Sequence, residues 1–237
     1  MSEKEKVIRK AFMAAFPMTI PIMAGFMFLG LAYGIYMNVS GFSFWYPMLM
    51  SLTIFGGSVE FVTVSWLLGA FTPINAFLLT FMISARHLFY GLSLLDRYKV
   101  PGLKRLYLIF GLCDETFSII CTADIPKDVD KTWFMFFITL LNHIYWVVGA
   151  TLGGIFGSWI HFDTTGLEFV MTALFVVIFL EQWMKEKNHY SSLLGLGLSL
   201  LCLILFKSTN FIIPSMCLIF GVLTLLKKPL EKAGALQ

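Results

Sequence analysis

The chain alternates long apolar runs with short charged stretches. The runs lie at about residues 12–37, 44–70, 73–95, 106–123, 132–160, 167–184, 191–206 and 210–226. Several reach roughly 20 residues, the length that crosses a bilayer core. They lack the short alternating segments of a β-barrel. The pattern predicts an all-α, polytopic transmembrane helical bundle of six to eight hydrophobic segments. It forms one integral membrane domain over residues 1–237, without a soluble domain or low-complexity linker.

Glycine refines this picture. The second run is interrupted by Gly56-Gly57-Ser58. Its halves, of about 13 residues each, would span roughly 20 Å, short of a core about 30 Å thick. A re-entrant hairpin is expected there. Gly30 and Gly34 in the first run, and Gly149, Gly153 and Gly157 in the fifth, recur every four residues, a spacing that lets helices approach closely. Pro17 and Pro21 mark the early part of the first run.

Composition agrees with a membrane solvent: 58% of residues are hydrophobic and 13% charged, against about 25% charged in soluble domains. The positive charges gather at Lys4, Lys6, Arg9 and Lys10, at Arg97, Lys99, Lys104 and Arg105, at Lys185 and Lys187, and at Lys227, Lys228 and Lys232. Such clusters mark cytoplasmic faces; split by apolar spans, they make no groove for nucleic acid. If the N-terminus and loop 96–105 both face the cytoplasm, an even number of crossings separates them. Three runs lie between, so one does not cross, and the broken second run is the candidate. If the sixth run also falls short, halves 11–124 and 132–228 each hold three full crossings, the second inverted relative to the first. Inverted repeats with broken helices are a transporter plan. "GSVEFVT" at 57–63 and "GLEFVMT" at 166–172 are faintly alike, though the sixth run lacks a glycine break. The alternative is seven or eight plain crossings with an imperfect charge bias.

The first run is too long for a signal-peptide core and lacks a small-x-small cleavage site after it, so it reads as a retained helix. Cys113, Cys121, Cys202 and Cys217 fall in apolar runs without CxxC spacing or clustered histidines. They read as buried thiols, with no metal or cofactor implied.

Ionisable residues inside a membrane usually face a cavity, a partner or a pathway. Glu60 follows the glycine break. A helix starting near Ser58 would present free N–H groups and a positive dipole end to a carboxylate, and Glu60 could meet an ammonium group or simply cap its own half-helix. Thr80, Ser84, His87 and Gly91 share one helix face, with Arg86 about 100° round from it. Arg86 lies about 13 Å from the inner end of its run, too deep for snorkelling alone, so it needs an acidic partner or an anionic ligand. Asp114 and Glu115, on a stripe with Gly111, Ser118 and Thr122, are its natural partners; one of them could instead carry a proton. Asn142 and His143 lie in the fifth run, where His143 is either a helix–helix hydrogen bond or a proton relay; His87 is a further relay candidate. Glu181 and Gln182 read as interfacial. No HExxH helix, GxSxG elbow or phosphate-binding GxxxxGKS loop is present, so the residues do not suggest an enzyme or an ATPase.

At "FGGSVEFVT", "ISARHLFYGLSLLDRY", "LIFGLCDETFSI" and "TLLNHIYWVVGATLGG" the chain resembles the large subunit of the azaleucine-resistance (AzlC-type) branched-chain amino acid exporters, over nearly its whole length. The resemblance implies export of leucine, isoleucine, valine and analogues across a bacterial cytoplasmic membrane, together with a small AzlD-type membrane subunit. Many members carry glutamine where this chain has Glu60. A zwitterionic substrate needs an anion site and a cation site close together. Ser58 or Arg86 would serve the first, and Glu60, Asp114 or Glu115 the second, with Glu115, Glu60 or His87 as proton carriers in an alternating-access cycle. A channel-like permease and a scaffold subunit with a purely structural charge cluster are the other readings.

Overall fold

The computed structural model describes residues 2–69, 71–123, 125–159 and 189–232 except 211, together with positions 169, 173, 176, 179, 180, 183 and 184. Every regular element among them is helical. The chain divides into two units, 1–167 and 168–237.

Two long helices frame the first unit. α1 (Glu3–Val39) starts at a capping box, in which the Ser2 hydroxyl accepts from the Glu5 N–H at 3.2 Å and the Glu5 carboxylate accepts from the Ser2 N–H at 2.8 Å. α8 (Lys131–Phe156) starts at Asp130, whose carboxylate accepts from the Trp133 N–H at 2.9 Å. Among the described residues these two helices are each long and apolar enough to cross a membrane. They run side by side in the same direction. Phe12 packs on Phe137, Thr19 bonds Tyr145, Gly30 meets Gly149 and Ala150, and Asn38 donates to the Gly154 carbonyl. The glycine spacing permits this contact: a Cβ on Gly30 would sit 2.9 Å from the Ala150 nitrogen, and one on Gly34 or Gly153 would strike backbone.

Between them the chain makes two hairpins and one bent span. α2 (Trp45–Thr53) descends antiparallel to α8, from Phe44 and Pro47 against Gly154 to the Ser51 carbonyl at His143. The chain then turns through Phe55 (φ 47°) and Gly57 (φ 44°). α3 (Ser58–Leu68) climbs back, with Glu60 at Trp146 and Phe61 against Tyr33 and Tyr36. The helices have 9 and 11 residues, about 14 and 17 Å, so the expected re-entrant hairpin forms at the glycine break. α4 (Pro73–Ser84) and α5 (Arg86–Leu94) are together long and apolar enough to cross, and are bent by 50° at Ala85. Leu94 ends in the cluster that holds Ala11 and Ala15 of α1.

The fourth run differs from the sequence reading. It is not one helix but a second hairpin, α6 (Leu103–Phe110) and α7 (Asp114–Thr122), broken at Gly111-Leu112-Cys113. α6 climbs along α8 from Lys104, over the Trp133 ring, to Gly111 against Thr139. α7 returns, from Thr116 bonded to Asn142 down to Ile120 in the cluster with Phe134 and Val129. Gly111 therefore lies outside the helix that carries Asp114, Ser118 and Thr122. The face of Thr80, Ser84, His87 and Gly91 is likewise split at Ala85.

The second hairpin also corrects the topology. An inverted pair of halves 11–124 and 132–228 would set α1 and α8 antiparallel; they are parallel. The parity condition on charge fits as the sequence suggested, with the second run a hairpin and α1 and the bent α4–α5 pair, each apolar enough to cross, on either side of it before loop 95–102. Lys10 pairs with Asp128, Arg97 donates to the Ile120 carbonyl and Lys104 covers Trp133. The basic residues thus gather at one end of the unit, while segments 38–44 and 156–159, at the other, carry no charge.

In the second unit α9 (Tyr190–Asn210) and α10 (Ile212–Lys232) pack on each other, covering the seventh and eighth runs. Cys202 and Ser215 are buried there. Glu181, Gln182, Lys185, Lys187 and, apart from Phe169, the "GLEFVMT" stretch lie outside the described residues.

Candidate functional site

The two hairpins dip from opposite ends and their tips meet on α8. Phe55 and Phe110 approach to 6.4 Å between ring centroids, and both face the His143 ring, at 4.6 and 5.6 Å. His143 bonds each hairpin once: Nδ1 lies 3.0 Å from the Tyr107 hydroxyl of α6, and Nε2 lies 3.3 Å from the Ser51 carbonyl of α2. A carbonyl only accepts, so Nε2 carries the hydrogen and Nδ1 of the neutral ring accepts from Tyr107. One residue earlier, Asn142 donates to Thr116 of α7 at 3.1 Å. Thr139, Asn142, His143 and Trp146 thus line two turns of α8 and touch both breaks.

Glu60 is fully enclosed. Its Oε1 accepts from the Gly56 N–H at 2.9 Å and the Trp146 indole N–H at 3.0 Å, and its Oε2 lies 3.1 Å from the same indole nitrogen. The carboxylate closes its own helix break and ties that break to α8. Trp146 in turn stacks on Tyr33 and meets Phe26 edge-on. Ser58, the first residue of α3, is buried beside this cradle.

The second cluster joins the bend to the other hairpin. Arg86, first residue of α5, pairs with Asp114, first residue of α7, at 3.0 Å between Nη2 and Oδ2. Their side chains keep 33% and 28% exposure. Arg86 Nε and Asp114 Oδ1 are buried with no hydrogen-bond partner. Glu115 follows in the same first turn, and the Cys113 thiol contacts the Thr116 hydroxyl at 3.1 Å. His87 is turned back on its own helix, with Nδ1 3.1 Å from the Ser84 carbonyl, and meets Tyr90 edge-on. Tyr90 stacks on Phe117 of α7 at 4.3 Å.

The structure therefore groups Ser58, Glu60 and His143 around the first tip, and Arg86, His87, Asp114 and Glu115 between α5 and α7. Of the two acids offered to Arg86, Asp114 makes the bond. Sequence reasoning missed Trp146, Tyr107, Thr116 and Tyr33. The first three donate or accept at the breaks, and only their polar atoms within apolar runs hinted at it. No cluster of histidine, cysteine and acidic residues suited to a metal ion occurs among the described residues.

The model of the AzlC protein family matches residues 21–160, a stretch holding both hairpins and the bent span. The branched-chain amino acid transport protein AzlC of Bacillus subtilis (strain 168) is 65% identical over 230 residues, 97% of this chain and 91% of that protein. The chain belongs to the AzlC family. An uncharacterized membrane protein of Haemophilus influenzae is 51% identical over 225 residues, 94% and 92% of the two chains. The inner membrane protein YgaZ of Escherichia coli (strain K12) is 26% identical over 186 residues, 75% of each. No solved structure matches the chain. With these relatives and its helices, this AzlC-family chain is a multi-pass membrane protein.

Proposed function

We propose that this chain carries branched-chain amino acids out of the cell across the bacterial cytoplasmic membrane, working with a small AzlD-type membrane subunit. The Bacillus subtilis relative's name supplies the substrate class. The observation that carries the reading is the Arg86–Asp114 pair with its two orphaned atoms. A free amino acid brings one acceptor and one donor group. Its carboxylate suits Arg86 Nε and its ammonium suits Asp114 Oδ1, with Glu115 adding a second acid beside the cation site. Buried polar atoms are costly to leave unpaired, so a zwitterion seated there satisfies both. The aromatic and aliphatic lining of the tips accommodates a branched side chain. The end that gathers the basic residues is the cytoplasmic one, which sets the N-terminus inside. The α2–α3 hairpin then enters from outside and the α6–α7 hairpin from inside, a plan suited to alternating access driven by the proton gradient. The chain moves its substrate without chemical change.

The test is counterflow in proteoliposomes holding the chain and its partner. Labelled leucine should accumulate against unlabelled leucine inside, saturably. Losing one charge-assisted contact of about 1.5–3 kcal/mol should cut the Arg86→Gln rate by roughly tenfold or more. Flux that rises linearly with concentration and shows no exchange would replace the carrier with a channel. Indifference of net transport to a collapsed proton gradient would remove the coupling.

A further inference from the structure

Glu60 is the one acidic residue among the described residues that is buried from all sides. No lysine or arginine pairs with it. Its partners are N–H groups, from Gly56 and Gly57 on its own hairpin and from Trp146 on α8. We propose that Glu60 is a proton-binding site that latches the α2–α3 hairpin to α8 when empty and releases it when filled.

Donors and acceptors set the behaviour of this cradle. As a carboxylate, Glu60 offers lone pairs only, and each N–H in its cradle finds one. A proton from water adds to one carboxylate oxygen, the charge goes from −1 to 0, and that oxygen becomes an O–H. Oε1 is held by two N–H groups and Oε2 by the longer arm of the Trp146 fork, so Oε2 is the oxygen more open to take it. The new O–H then faces the indole N–H, donor against donor, and the fork from Trp146 loses its Oε2 arm, leaving only the arm to Oε1. A carboxylic acid also accepts more weakly than a carboxylate, so the bond to the Gly56 N–H slackens too. The hinge lies directly beside it. Phe55 holds a positive φ of 47° that non-glycine residues rarely adopt, a strained turn that persists only while its surroundings enforce it. Without the latch α2 keeps its hold on α8 through Phe44, Pro47 and the Ser51–His143 bond, while α3 is left with the packing of Phe61 on Tyr33 and Tyr36.

The other titratable groups packed around Glu60 are few. Tyr33 of α1 faces the cradle and Tyr36 stacks on Phe61. α8 supplies His143, one turn before Trp146 and bonded at both ring nitrogens, and Tyr145, bonded to Thr19. α2 supplies only Tyr46, exposed against Phe42. The latch is a property of the folded chain; only its use, to open the outer hairpin in a proton-driven cycle, rests on the transport reading.

The test reads the protein and not the flux. The full chain is labelled with fluorotryptophan, and the resonance of Trp146 among the six tryptophans is assigned by Trp146→Phe. Spectra are taken in lipid nanodiscs from about pH 4 to about pH 9, the range open to a perturbed carboxylate. The Trp146 resonance should shift through a single titration, and Glu60→Gln should abolish that shift while the other five resonances keep their wild-type positions. His143→Gln should leave the titration in place. A Trp146 resonance that ignores pH overturns the proposal. So does one that still titrates in Glu60→Gln, or one whose titration disappears in His143→Gln. If Glu60→Gln fails to fold, the wild-type and His143→Gln titrations decide. Failed leucine exchange beside an intact titration would sink the transport reading and leave the latch standing.

Discussion

Glu60, Arg86 and Asp114 each stand in the first turn of a helix that follows a break. For the two acids this is the favoured end of the helix dipole, worth about 0.3–1 kcal/mol; for Arg86 it is the wrong end, and Asp114 offsets it. Neutral partners matter as much as charged ones. Trp146→Phe keeps the ring stack on Tyr33 but removes the indole N–H from a buried carboxylate. It should lower stability by about 1–3 kcal/mol, read as an earlier thermal transition in detergent, and an unchanged transition would mean the bond contributes little. The Lys10–Asp128 pair offers a contrast. Lys10 holds the Asp128 carboxyl below its ordinary range. A lowered acid stabilises above its unfolded value, about 3.9 for aspartate, and loses that effect as pH falls through the lowered one. Both side chains are largely exposed, however, and exposed pairs contribute little. Lys10→Ala should therefore leave the melting temperature at neutral pH where it was, with any difference confined to strong acid. The acid at residue 60 was legible because a Gly-Gly-Ser break precedes it. Its partner was not, since Trp146 lies 86 positions away and one aromatic in an apolar run looks like another until its N–H is placed.

Helices behave in the same uneven way. The four-residue glycine spacing in α1 and α8 announced a close contact, and the two stripes face each other. Two glycines of α1 separate contact from composition. Gly34→Leu drives a side chain into the backbone of α8 and should cost about 3 kcal/mol, with a matching fall in membrane abundance. Gly25→Ala points into open space. It should sit within about 1 kcal/mol of wild type, on the stabilising side. Equal melting shifts for the two would mean that helix propensity, not the seam, sets the effect. The breaks were only partly readable. Gly56-Gly57 carries its own signal, and Gly111 ahead of an acidic first turn carries a weaker one. The bend at Ala85 has neither glycine nor proline to mark it. There the His87 ring lies 3.1 Å from the Ser84 carbonyl and the Leu88 N–H bonds the Ala85 carbonyl instead, a side chain set into the helix ladder.

At the scale of the whole chain, the first unit holds two helices long and apolar enough to cross a membrane, one bent apolar pair, and two short hairpins that meet over His143. The placement of basic residues required one broken run among the first three, and the second run is broken. The fourth run is broken too, into helices of 8 and 9 residues that read together as a single span, because apolar length alone does not reveal direction. Parallel α1 and α8 revealed it. What the arrangement exposes at its centre is an ion pair with one unmet donor and one unmet acceptor, and that is the claim on which the functional account stands. The most direct measurement is efflux of leucine and valine from cells expressing the chain with its small partner. Wild type is compared with Arg86→Gln, each normalised to the amount of protein in the membrane. The account predicts that Arg86→Gln reaches the membrane at near wild-type abundance and loses efflux of both amino acids. Efflux per molecule that survives the substitution, with abundance alone reduced, would make the pair a structural brace and contradict the account.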